Sequence, residues 1–211
     1  MENKKADPEL VKQTILALKD NGFEVESFEN KEAAADWISQ QMVEDEIVAF
    51  GGSMTLQAMG LKEKLIACGV DFLDYRQPDL RPEDSHDMKR QCFFADSYFL
   101  SANAITADGT IFNVDATGNR VAALTFGPDK VYIIAGTNKI CRNLDEAHQR
   151  VEQIAGPKNC VRLNKKTPCV TTRVCMDCES EDRICRVYSV LRRPTTNMKV
   201  TVVLIEEVLG Y

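Results

Sequence analysis

Four of the chain's eight cysteines fall between Cys169 and Cys185, spaced C-x5-C-x2-C-x6-C. Cys175 and Cys178, two residues apart, can grip one metal centre with both sulfurs. Cys169 and Cys185 can close a four-thiolate shell. Such a shell suits an iron–sulfur cluster or structural zinc. Zinc ribbons favour two separated C-x2-C knuckles and only one is present, so the spacing favours a [4Fe–4S] cluster over zinc. The plain alternative is four free thiols, two of them able to form a disulfide in air.

A second candidate is the run Gly51-Gly52-Ser53-Met54-Thr55-Leu56, which follows the apolar stretch Ile47–Phe50. Glycines let the backbone turn sharply. Their N–H groups, with those of Ser53 and Met54, would point to one spot and attract a phosphate or carboxylate. Ser53 and Thr55 add hydroxyls. The plain alternative is a tight strand-to-helix connection with Ser53 as N-cap. The run is neither a P-loop nor a G-x-G-x-x-G fingerprint.

The third is a polar run, Ser101 to Thr110 and Asn113 to Arg120, set beside buried apolar stretches. Ligands of open α/β sheets bind at strand C-termini. Asn103, Thr106, Asp115, Gly118 and Asn119 are therefore candidates for the cleft that holds the Gly51 loop. Asp115 is the one candidate for acid–base catalysis. Asp108-Gly109 reads as a hairpin turn, and Thr117-Gly118-Asn119 equally as a helix cap. Lys139 is expected in an exposed loop, with reach into the anion pocket as the alternative. His86 and His148 read as solvated, Trp37 as core, and Arg192-Arg193 as a surface pair.

Taken together, Gly51–Leu56, Asn103-Ala104-Ile105-Thr106 with Asp108-Gly109-Thr110, and Gly118-Asn119-Arg120-Val121-Ala122-Ala123 resemble the signature stretches of the lactate-utilisation (LUD) family. The three occur in the family's order, and the resemblance spans Pro8 to Gly210. It implies the fold shared by ribose-5-phosphate isomerase, glucosamine-6-phosphate deaminase and the CoA transferases, and a place in bacterial lactate oxidation. There the clusters usually sit in a sister subunit, so a cluster in this chain would make it a compact variant. No residue matches the catalytic glutamate of the CoA transferases, which argues against acyl transfer.

The elements that must position these groups can be read from pattern. Asp7-Pro8 opens a helix that Asn21-Gly22 stops. Phe23–Phe28 alternates as a strand, and Asn30 caps a second helix. Ile47–Phe50 is apolar on both faces, as a covered parallel strand requires. Arg76–Ser85 reads as a surface loop and Met88–Phe94 as helical. Tyr98–Ile105 reads as one buried strand, paired through Ala107-Asp108-Gly109 with Thr110–Val114. Val131–Ala135 is another strand. Asn143–Ala155 is an amphipathic helix that Gly156-Pro157 ends, and Lys199–Ile205 is a last strand. The alternation predicts an α/β, Rossmann-like, doubly wound and mostly parallel sheet. One domain, 1–211, is expected, with the Cys-rich stretch 160–193 as an appended segment.

The chain has 211 residues, 44% of them hydrophobic and 27% charged, which argues against wholesale disorder. A net charge of −6 with no basic stripe argues against a nucleic-acid partner. The polar start, Met1–Glu9, lacks a signal-peptide core, and no apolar run is long enough to span a bilayer. A reducing cytoplasm is the expected compartment. The first functional expectation is an accessory or electron-transfer component of lactate or hydroxy-acid oxidation, with a small anionic metabolite and sister subunits as partners. Alternatives are a stand-alone isomerase- or transferase-like enzyme on a phosphosugar or acyl-CoA, and a metabolite- or redox-sensing binding module.

Overall fold

Apolar runs that cannot tolerate water on either side must be covered twice, and this requirement organises the chain. In the computed structural model, which describes residues 1–211, six strands form one sheet in the order β1-β10-β7-β4-β2-β3. They are β1 (Glu24–Phe28), β2 (Ile47–Phe50), β3 (Asp71–Leu73), β4 (Ser97–Leu100), β7 (Lys130–Gly136) and β10 (Lys199–Ile205). Every pairing is parallel.

Alternation along the strands sorts side chains into two layers. Val131, Ile133 and Ala135 pack with Leu18 of α1 (Pro8–Asp20) and Leu124 of α6 (Asn119–Phe126). Tyr132 and Ile134 pack on the other face. There they meet Ile38 of α2 (Lys31–Gln40), Leu56 of α3 (Met54–Ala58) and Leu65 of α4 (Leu61–Ile66). The expected doubly wound, parallel α/β sheet is therefore present. Local capping chemistry holds too: Asp7 accepts from Glu9 N (3.0 Å), and Asn30 from Ala33 N (2.8 Å).

The stretch Tyr98–Ile105, read as one strand, is two. β4 ends at Leu100, and the chain crosses at Ser101–Asn103 into a second sheet. That sheet has the order β8-β5-β6-β9, built from β5 (Ala104–Thr106), β6 (Ile111–Asp115), β8 (Ile140–Cys141) and β9 (Val187–Leu191). β5 and β6 form the expected hairpin, antiparallel with Ala104 opposite Phe112. β9 pairs along all of β6, so the end of the Cys-rich stretch is woven into this sheet. The loop read over Arg76–Ser85 is shorter than expected, because Pro82 starts α5 (Pro82–Gln91).

A further departure lies at Gly156-Pro157. The helix does not end there. α7 (Leu144–Arg150) passes through a π-helical turn (Val151–Ala155) into α8 (Gly156–Arg162). The Gly156 N–H donates to Val151 O, five residues back. The wider turn accommodates a proline whose ring would crowd an ordinary α-turn. Pro157 has no N–H to give, and the Glu152 carbonyl instead accepts from Cys175 N at 2.8 Å. The same irregularity that carries the helix onward thus pins the start of the cysteine loop. A short helix, α9 (Cys169–Thr172), lies between α8 and that loop.

Candidate functional site

β3 lies on one side of β2 and β4 on the other, so successive connections leave in opposite directions and open a crevice at the strand C-termini. A cleft of about 320 Å³ occupies it, bounded by Gly52–Met54 after β2, Tyr75 and Arg76 after β3, Asp115–Thr117, Asn119 and Arg120 around the start of α6, and Asn159 and Arg162 of α8. It narrows to a recess of about 30 Å³ that reaches Ser101, Asn103 and Lys139. A larger hollow, about 550 Å³, sits at the N-terminal ends of β2, β4 and β7. Its wall carries Glu44, Asp45, Glu46, Asp96 and Asp129 with Lys130 alone as cation. Chemistry therefore favours the smaller cleft.

Lys139 closes the recess. It follows β7 in a single 3₁₀ turn and is only 3% exposed, so the exposed-loop reading fails. Its Nζ donates to Thr55 Oγ1 at 2.9 Å and to Ser101 Oγ at 2.8 Å. Thr55 passes its own proton to the Leu209 carbonyl (3.2 Å). No carboxylate pairs with the amine. Burial, reinforced by Arg150 and Arg120, holds its pKa well below the usual lysine range.

Arg120 forms the side wall and borders both cleft and recess. Its Nε donates to Asp115 Oδ2 at 3.1 Å. Its Nη2 donates to the Val114 carbonyl (2.8 Å) and to Asn103 Oδ1 (3.1 Å). The other Asp115 oxygen accepts from Thr117 N (3.1 Å) and Gly118 N (2.9 Å). Both oxygens of the candidate acid–base residue are thus engaged in holding a turn and an arginine. Gly118 takes φ +83° to make that turn and lines a neighbouring hollow with His86 and Phe93 instead of the cleft. Asn119 lies on the wall beside it.

The Gly51 loop contributes differently from the sequence expectation. The Gly51 N–H is bound to the Phe99 carbonyl (2.8 Å) and does not point at a ligand. Gly51 is small for another reason: a Cβ there would come within 2.9 Å of Arg120 Cγ and 3.1 Å of the Tyr98 hydroxyl. That hydroxyl is buried without a partner. Gly52 and Ser53 do line the cleft, and Ser53 also caps α3 through Leu56 N (3.3 Å). Thr55 is fully buried and reaches the site through Lys139. Thr106 does not reach it. Its hydroxyl serves the Asp108–Thr110 turn, and Gly109 in that turn abuts the backbone of α1.

Sequence reasoning nominated none of Arg76, Lys89, Arg120, Arg150, Asn159 and Arg162 for the site. Arg150 is 1% exposed, donating to the Asn103 carbonyl (2.6 Å), the Asn138 carbonyl (3.1 Å) and Asn3 Oδ1 (3.1 Å). Burial lowers its pKa to about 10. Asn159 and Arg162, bonded to each other at 2.9 Å, enter the cleft because α8 continues past Pro157. A charged residue in the apolar face of α7 was the available signal for Arg150. Counted together, the basic side chains Arg76, Lys89, Arg120, Lys139 and Arg162 face the cleft and recess, against the single acidic side chain Asp115.

The cysteines are all reduced thiols. Cys160 lies beside Cys169, and Cys185 acts on Cys160 electrostatically. Cys175 in turn feels Cys185 and Cys169. Cys178 serves through its backbone, accepting from Arg183 Nη1 at 2.7 Å. Burial pushes the Cys160 thiol up to about 11. No three His, Cys, Asp or Glu side chains stand together in a way that could hold a metal ion. The quartet read from spacing stops short of a ligand shell.

In overall shape the chain is similar to a DUF162 family protein from Deinococcus radiodurans, with 14% identity, a TM-score of 0.56, and coverage of 97% of this chain and 98% of that one. A partial likeness, 17% identical with a TM-score of 0.37, links it to eIF2B beta from Chaetomium thermophilum over 55% of this chain and 41% of that one. No curated protein matches it in sequence. The LUD domain model matches residues 11–205, a span holding the Gly51 loop, the Arg120–Asp115 pair and Lys139, and the chain belongs to the LUD-domain family.

Proposed function

We propose that the protein binds a small carboxylate- or phosphate-bearing metabolite in the service of lactate or hydroxy-acid oxidation, as an accessory component working with partner subunits. One observation carries this reading: in a chain of net charge −6, four cations, Arg76, Lys89, Arg120 and Arg162, face a cleft whose only acidic side chain, Asp115, is already bound to Arg120. Opposed charge in a concave, partly dry site raises the local concentration of anions. The cleft's volume lies at the low end for small-molecule pockets, which suits a compact metabolite. Within the site Arg120 binds the anion, Asp115 and Asn103 hold Arg120, and Gly52 and Ser53 shape the wall.

The test is thermal unfolding with lactate, pyruvate, inorganic phosphate and ribose 5-phosphate in turn. A ligand at a hundred times its Kd adds about 2.7 kcal/mol of stability, several degrees in Tm for a chain of this size. The reading expects a compact carboxylate or phosphate to give that shift, and Arg120→Ala to abolish it. No shift with any of the four would overturn it.

The electron-transfer form of the reading has one observation in its favour. α8 gives Asn159 and Arg162 to the cleft and Cys160 to the thiol neighbourhood, so a redox centre there would lie beside the bound acid. It requires the loop 173–186 to close its thiols round iron. Protein purified without oxygen would then contain iron and acid-labile sulfide. Iron-free, colourless protein would rule this form out and leave the anion pocket standing.

A further inference from the structure

Lys139 is unlike the other cations of the cleft. Arg120 and Arg76 have carboxylate partners in Asp115 and Asp74, and Lys89 and Arg162 meet solvent. Lys139 sits at the closed end of the recess with two hydroxyls for company. Its surroundings suit the neutral amine. Taking an ammonium out of water without a counter-ion is strongly unfavourable, and Arg150 and Arg120 repel it. A neutral amine has two protons, and two hydroxyl oxygens accept them. Thr55 has committed its own proton to the Leu209 carbonyl, so it returns none to the nitrogen. The lone pair is left over.

Access is restricted to something small. The recess holds about 30 Å³, above the minimum for one water-sized group and too little for a ring. Arg120, Gly52 and Ser53 border both recess and outer cleft, so a carboxylate held by Arg120 can lie outside while an adjoining group enters. A carbonyl next to a carboxylate has that shape. A desolvated lysine beside other cations is a recognised form of activated nitrogen nucleophile.

We propose that Lys139 is a nucleophile that forms an imine with the keto carbonyl of a short 2-oxo acid. Nζ bonds to the carbonyl carbon to give a carbinolamine. The carbinolamine oxygen then departs as water, carrying the two protons the amine gives up, and a C=N bond remains. No electrons are exchanged and no co-reactant is consumed. This inference rests on the anion-pocket reading and narrows its ligand to a 2-oxo acid, the oxidised counterpart of a 2-hydroxy acid.

The experiment is reductive trapping of the full-length protein with pyruvate and borohydride, followed by intact mass and peptide mapping. Lactate replaces pyruvate in the control, and thermal shifts are recorded on the same samples. The expected result is a reduced pyruvate adduct on Lys139, absent with lactate and lost in Lys139→Met. The mapping uses the unaltered protein, so it decides the matter even if the variant fails to fold. Pyruvate that raises Tm without any adduct on Lys139 would overturn the covalent step and leave the anion pocket in place. Adducts confined to surface lysines would overturn it as well. No adduct and no stabilisation by any small anion would remove both.

Discussion

At the scale of single residues, the site depends on groups whose charge has been constrained by their surroundings. Asp115 shows how a candidate catalyst becomes a positioning residue: with three donors on its two oxygens, it fixes where Arg120 points. Asp115→Asn keeps the shape and removes the charge. It is expected to weaken binding of the stabilising anion roughly tenfold, about 1.4 kcal/mol, as read by calorimetric titration. Unchanged affinity would show that Arg120 needs no such anchor. Lys139 offers a pH signature. Between its depressed folded pKa and the ordinary value of 10.5, the unfolded chain carries a proton that the folded chain does not. Stability therefore rises with pH through that window. Urea unfolding from pH 7 to 10 should show the native protein gaining stability relative to Lys139→Met, and parallel profiles would contradict the neutral-amine account. From sequence this lysine's reach into the pocket was only the alternative to an exposed loop, because its burial depends on Thr55 and Ser101, neither near it in the chain.

At the scale of elements, what is local in sequence was legible and what depends on distant packing was not. Asp7, Asn30 and Ser53 cap their helices through bonds to residues two or three positions on, and so they could be read. The end of β4 could not. Ser101–Asn103 interrupts an apolar run with no turn signal, and the sheet change is dictated by β6 and β8, which claim β5 as a partner. Gly156-Pro157 misled for a related reason: the pair usually breaks a helix, and here the π-turn absorbs it. The strand end at Gly136 is equally exacting. A Cβ there would meet Asn138 Oδ1 at 2.4 Å and the Glu207 carbonyl at 2.5 Å, so only glycine lets β7 turn toward Lys139. Gly136→Ala is expected to destabilise the fold by about 1–3 kcal/mol, measured by denaturant unfolding. A neutral substitution would mean that the turn is looser than its contacts imply.

At the scale of the whole molecule, the doubly wound sheet brings the C-terminal ends of β2, β4 and β7 together and leaves their N-terminal ends on the opposite side. This separates a cationic cleft from an acidic hollow within one negatively charged chain. The fold class was legible because alternating apolar strands and helices admit few other arrangements. Of the candidate residues, Gly52 and Ser53 line one crevice with Asn103, Asp115 and Asn119, while Thr106 stays away from it. Arg76, Lys89, Arg120, Arg150, Asn159 and Arg162 were missed, because a polar or charged side chain gives no sign in sequence of which cavity it will enter. The cysteine spacing pointed to one quartet, while the fold brings Cys160 to Cys169 through the continued helix. Cys160→Ser then distinguishes the two sets. If iron is present, its loss in this variant would assign a role to Cys160, and full retention would return the site to the quartet read from spacing.

The central claim is that the cleft at the ends of β2, β4 and β7 receives a small anion through Arg120 and the recess beneath it. A crystal of the protein soaked in pyruvate answers this directly. The account predicts density for a three-carbon acid with its carboxylate on Arg120 and its carbonyl toward Lys139. Clear density for that cleft in the soaked crystal with water alone in it, or pyruvate bound in the hollow beside Lys130, would contradict the account.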